Sequence, residues 1–139
     1  PSLLPFTPWT TLDDYLELLA FVREYDLVDY IDPVQYSLRL LIPPGSAILE
    51  KHAQACWLGE LDDARFSYAW NHPDDRMERL QKQVSVRVAT AERAGESVRS
   101  TFAAIEELAS GLGCVTPPYP RIVPSRRKIP AGLTESWFC

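Results

Sequence analysis

Three polar side chains alternate along one short stretch of this chain: Gln35, Ser37 and Arg39. In an extended backbone every second side chain points the same way. An amide, a hydroxyl and a guanidinium would then share one face with Leu41, while Val34, Tyr36, Leu38, Leu40 and Ile42 form an apolar face. Such a polar row can bind a carboxylate, because the guanidinium fork matches its two oxygens. The structural alternative stands level with it: a buried guanidinium is costly unless paired, and Asp26, Asp29 and Asp32 lie close in sequence.

The second chemistry is that of thiols. Cysteines stand at positions 56, 114 and 139, an odd number without tight spacing, which argues against a disulfide framework and for a reducing, cytoplasmic setting. His52 and Cys56 are four residues apart and would share a helix face, a spacing that can begin a metal site. With no third and fourth ligand in view, a half-buried cysteine beside a surface histidine is the better reading. Cys139 ends the run Leu133-Thr134-Glu135-Ser136-Trp137-Phe138, an unusual place for two large aromatics and a thiol. With no initiator methionine at the other end, the chain reads as a piece of a longer protein. No glycine-rich phosphate loop, nucleophile elbow, CxxC pair or HExxH is present.

These residues need elements to position them. Thr10 or Thr11 caps a helix over residues 12–25, in which Leu12, Tyr15, Leu16, Leu19, Phe21 and Val22 recur at helical spacing. Residues 34–42 alternate with period two and read as the principal strand, stopped by Pro43-Pro44-Gly45. Ser46 caps a helix from Ala47 to about Leu58. Residues 59–71 read as an aromatic-rich loop. His72-Pro73-Asp74-Asp75 opens a long helix over about 74–110, in which Met77, Val84, Ala91, Val98 and Ile105 recur every seventh residue. A continuous helix of that extent would be about 55 Å long, so a break near Gly95 is the alternative. Residues 114–139 carry five prolines and read as an extended tail. The fold class expected is mainly α with minor β.

Composition bounds the function. The 139 residues, 46% hydrophobic and 24% charged, suffice for a domain with a real core. A net charge of −5 implies no general nucleic-acid surface, and no apolar run approaches the ~18 residues of a membrane span. Arg126-Arg127-Lys128 is the one basic cluster and reads as a solvated loop.

Several stretches resemble a known family. Pro5-Phe6-Thr7-Pro8-Trp9-Thr10-Thr11, then the run from Asp32-Pro33 through Arg39 to Gly45-Ser46, then Trp70-Asn71-His72-Pro73-Asp74 and the closing Leu133 to Cys139 are similar to the radical S-adenosylmethionine proteins named for a Cys-Sec-Ala-Glu-Pro or Cys-Cys-Ala-Glu-Pro tail. The resemblance implies a C-terminal portion of such an enzyme, an oxidoreductase or transferase of unknown substrate. Residues 1–50 would be the last elements of the β/α barrel, residues 51–113 a helical extension and residues 114–139 the tail. It further implies S-adenosylmethionine and a 4Fe–4S cluster in the full-length protein, with cobalamin a possible addition. The CxxxCxxC loop that holds such a cluster is absent from this chain, so the fragment itself would be catalytically incompetent. Gln35, Ser37 and Arg39 would contact S-adenosylmethionine or substrate. Cys139 would be the first member of a redox-active Cys-Sec or Cys-Cys pair. The partner implied is the rest of its own barrel, with a homo-oligomer expected for the isolated fragment. Two alternatives remain open: a non-catalytic interaction module, and a small metal or redox domain using Cys56, Cys114 and Cys139.

Overall fold

Thr11 opens the first helix with a reciprocal cap. Its hydroxyl accepts the Asp14 N–H while the Asp14 carboxylate accepts the Thr11 N–H, which satisfies two backbone donors that the helix cannot. In the computed structural model, which describes residues 2–113, this helix is α1 (Leu12–Glu24). A short α2 (Ala47–His52) follows, then strands β1 (Leu58–Asp62) and β2 (Ser67–Trp70), then α3 (Asp75–Ala94) and α4 (Val98–Ser110). The described chain is mainly helical with one two-stranded antiparallel sheet.

The long helix expected over 74–110 is two helices. Gly95 closes α3 in the left-handed conformation, with φ of 64°, and its N–H returns to the Ala91 and Glu92 carbonyls. Glycine takes that conformation without the Cβ penalty. Ser97 then caps α4 by accepting the Ser100 N–H. The heptad row ran across this turn. Folding it back lets Met77, Leu80, Val84 and Val88 of α3 and Phe102, Ile105 and Ala109 of α4 share one core with Tyr15, Leu19 and Val22 of α1. A single rod would leave much of that surface in water.

Residues 34–42 are not a strand. Asp32 accepts the Val34 N–H, Pro33 occupies the first turn, and residues Pro33–Ser37 form a 3-10 helix. Proline cannot supply a ladder N–H but fits a first helical turn, so the Asp-Pro pair overrides the alternation. Val34, expected inside, is 44% exposed, whereas Tyr36 and Ile42 are fully buried. Past the 3-10 helix, Phe6 and Arg39 form an isolated parallel bridge, with Phe6 N–H on Leu38 O and Leu40 N–H on Phe6 O.

The helix expected to reach Leu58 stops at His52, and the loop expected over 59–71 is a hairpin. Leu58 pairs with Trp70 and Asp62 with Ser67, with a bulge between Leu58 and Leu61. Asp62 holds the turn by accepting the Ala64 and Arg65 N–H groups. β2 in turn meets residue 42, where Tyr68 N–H reaches Ile42 O and the Ser67 hydroxyl accepts the Ile42 N–H. The tail expected over 114–139 lies outside the described residues. Among the described residues no helix is long and apolar enough to cross a membrane.

Candidate functional site

Arg39 sits where the irregular layer meets α3. Its Nη1 donates to Glu78 Oε1 at 2.8 Å and its Nη2 to the Trp70 carbonyl at 2.8 Å. The guanidinium carbon lies 3.9 Å from the centre of the Trp70 ring, a cation–π stack. The Trp70 indole N–H donates to Leu40 O at 2.8 Å, so the ring is fixed at both ends of the contact. Side-chain exposures of 23% for Arg39 and 15% for Glu78 place the pair below the surface but not out of reach of water.

Glu78 gathers several donors. Its second oxygen accepts the His72 N–H at 3.1 Å, and Lys82 Nζ lies 3.5 Å from the first. Burial pushes this carboxyl's pKa up, but the hydrogen bonds from Arg39 and His72 and the charges of Arg39 and Lys82 outweigh it, so the pKa lies below the ordinary glutamate value. His72 extends the cluster. Its Nδ1 accepts the Asp74 N–H at 2.9 Å, which puts the imidazole proton on Nε2, and Nε2 donates to Thr10 O at 2.9 Å. Arg39, Glu78, Trp70 and His72 thus tie residues 6–10, 38–40 and 70–78 together.

The other two members of the polar row point elsewhere. Gln35 Oε1 accepts the Leu3 N–H at 2.9 Å. Ser37 turns its hydroxyl onto Val34 O at 2.8 Å, and its carbonyl accepts from Gln81 Nε2. The 3-10 helix rotates the three residues off a common face, and each serves a local structural bond. Arg39 is paired, but with Glu78 and not with the acids of the 26–32 segment. Asp26 and Asp29 instead meet Arg99. Glu78 and Trp70 carried no legible signal as partners: each is more than 30 residues from Arg39, and only the fold brings them near.

His52 and Cys56 do not share a helix face, because α2 ends at His52. His52 packs instead against Trp9 and Trp57, the three ring centres standing 5.3 to 5.7 Å apart, with Trp9 half exposed. Cys56 is exposed and free, and no group of three His, Cys, Asp or Glu side chains among the described residues is placed to hold a metal ion. The described residues therefore do not fit an iron–sulfur cluster. Cys114 and Cys139 lie outside them. Comparison with protein-family models, with curated proteins and with solved structures finds no match to this chain.

Proposed function

We propose that this chain is the C-terminal portion of a radical S-adenosylmethionine enzyme, an oxidoreductase or transferase, with residues 1–50 the last elements of its barrel, residues 51–113 a helical extension and residues 114–139 a tail that carries Cys139. One observation carries the reading. The three described stretches with the family resemblance, around Phe6–Thr10, Leu38–Leu40 and Trp70–Asp74, are far apart in sequence yet converge on the Arg39 cluster. The parallel bridge between Phe6 and Arg39 has α1 between its two halves, an isolated contact with the parallel sense that barrel strands share.

In this reading Arg39 is a positioning residue. Two of its five N–H donors are taken by Glu78 and Trp70 O, and in this role it sets the backbone of residues 38–40. Gln35 and Ser37 hold other backbone, at Leu3 and Val34. The iron–sulfur cluster and its cysteine loop belong to a portion of the enzyme upstream of this chain. The thiol of Cys139 supplies redox chemistry together with a selenocysteine or cysteine that follows it.

The test begins with the gene. The reading frame upstream should encode a CxxxCxxC loop, and the codon after Cys139 should be the selenocysteine codon or a cysteine codon. The longer product, reconstituted anaerobically with iron and sulfide and given a reductant, should cleave S-adenosylmethionine to 5′-deoxyadenosine and methionine. A frame without the loop, or a reconstituted protein that leaves S-adenosylmethionine intact, would overturn the assignment. The exposed Trp9 beside Trp57 and His52 favours the interaction-module alternative, which the same frame without a cluster loop would support.

A further inference from the structure

A groove of about 430 Å³ lies where the turn between α3 and α4 meets the 3-10 helix Pro33–Ser37. Its lining combines apolar Val34, Val88 and Val98 with the acidic side chains of Asp32, Glu92 and Glu96. No basic side chain among the described residues lines it. Glu96 is paired with Arg87, whereas Glu92 makes no ion pair among the described residues. A second groove is lined by Lys82, Val86, Arg87, Glu96 and Leu108, and there Arg87 and Glu96 pair with each other.

The charge of the chain is divided unevenly. Residues 114–139 hold four of the 14 basic side chains, Arg121, Arg126, Arg127 and Lys128, and one of the 19 acidic ones, Glu135. Residues 1–113 therefore carry a net charge of −8 and residues 114–139 one of +3. The basic residues of the tail are interleaved with Ile122, Val123 and Ile129, a pattern complementary to a lining of valines and carboxylates.

Reach is sufficient. The Gly113 position stands against Leu12 and Leu16 at the start of α1, at the end of α4 away from the groove. From Val98 to that point the helix axis rises roughly 22 Å at 1.5 Å per residue. The eight residues from Gly113 to Arg121 span up to about 26 Å when extended, and those up to Lys128 nearly twice as much.

We propose that the groove between the α3–α4 turn and residues 32–34 is the docking site for the chain's own tail, taking the segment from Arg121 to Ile129 with its cations against Glu92, Glu96 and Asp32. Docking there would lay the tail back along α4, so that Cys139 is delivered from a fixed point and does not trail from Gly113. The inference is independent of the family reading, because it uses only the groove, the charges and the chain length.

Zero-length carbodiimide cross-linking of the full 139-residue chain tests it, since Lys128 is the one lysine after position 113. A mixture of light and isotope-labelled chains separates links within a chain from links between chains. The expected product joins Lys128 to Glu92, Glu96 or Asp32 within one chain. Its yield should fall several-fold in 0.5 M salt and in Glu92→Lys, an exposed substitution whose fold circular dichroism can verify. In Arg126→Glu/Arg127→Glu, amide exchange over residues 93–99 should quicken several-fold. Links that form only between light and heavy chains would assign the groove to a second copy and overturn the proposal. Links from Lys128 to acids elsewhere, or no change in exchange, would overturn it as well.

Discussion

The two layers of this molecule are held by different forces. The helical layer, α1 with the α3–α4 hairpin, buries a continuous apolar row, and Tyr15, Leu19, Met77, Leu80, Val84 and Ile105 are all 2% exposed or less. The irregular layer, residues 3–10 and 33–72, buries fewer large side chains. It relies on side chains that bond to backbone: Gln35 to Leu3, Arg39 to Trp70, Trp70 to Leu40, His72 to Thr10 and Ser67 to Ile42. Apolar burial is non-directional and tolerates approximate packing. A bond to one carbonyl is not, because its loss leaves a specific polar group without a partner. The first layer should therefore fail by cavity and the second by unsatisfied polarity.

The largest expected effect lies in the helical layer. Leu80→Ala should cost about 2–5 kcal/mol in denaturant unfolding, through lost burial and the cavity left behind. A loss under ~1 kcal/mol would mean that the α1, α3 and α4 core is looser than its burial indicates. Arg39→Leu should follow, costing about 2–3 kcal/mol because Glu78 is left as a poorly paired carboxylate and Trp70 O loses a donor. Lys82 would still face Glu78, which keeps the loss below that of a fully buried orphan charge.

The same cluster sets a pH dependence. Glu78 has a folded-state pKa below its unfolded value, so its contribution is fully present above the ordinary glutamate pKa of about 4.3 and fades as pH falls through the lower folded value. Stability measured against pH should drop in that acid range, and the drop should be shallower in Glu78→Gln. Equal slopes for the two proteins would remove Glu78 as a source. Gly95→Ala should cost about 1 kcal/mol, because a Cβ strains the left-handed cap although space is open around it. The smallest effect should come from Arg99→Ala. Its pairs with Asp26 and Asp29 lie on the surface, and the melting temperature should stay within the scatter of repeat measurements.

The two layers also differ in how much the sequence disclosed. α1, its Thr11 cap, the Ser46 cap of α2 and the Asp74 start of α3 follow from local patterns, because caps and apolar stripes act within a few residues. The turn at Gly95 was readable as a glycine in a helical row, but the heptad repeat ran through it by coincidence of phase. In the irregular layer, alternation over 34–42 suggested a strand, and Asp32-Pro33 was the local signal that prevailed. The hairpin was missed, because the aromatic content of residues 59–71 resembled a loop and the pairing of Leu58 with Trp70 is not a local signal. The pairing of Arg39 with Glu78 and Trp70 had no local trace. Gln35, Ser37 and Arg39 were rightly marked as polar residues in need of partners, but the identity of those partners depended on contacts across tens of residues.

The central claim is that Arg39 is a structural hub that locks residues 6–10, 38–40 and 70–78 together. A double-mutant cycle on the full chain with Arg39→Leu, Glu78→Gln and the pair, read by urea unfolding, tests it most directly. A coupling energy of about 1–2 kcal/mol is expected, with the single losses far from additive in the double variant. Additivity within about 0.3 kcal/mol would contradict it and return Arg39 to the residues free to bind a ligand.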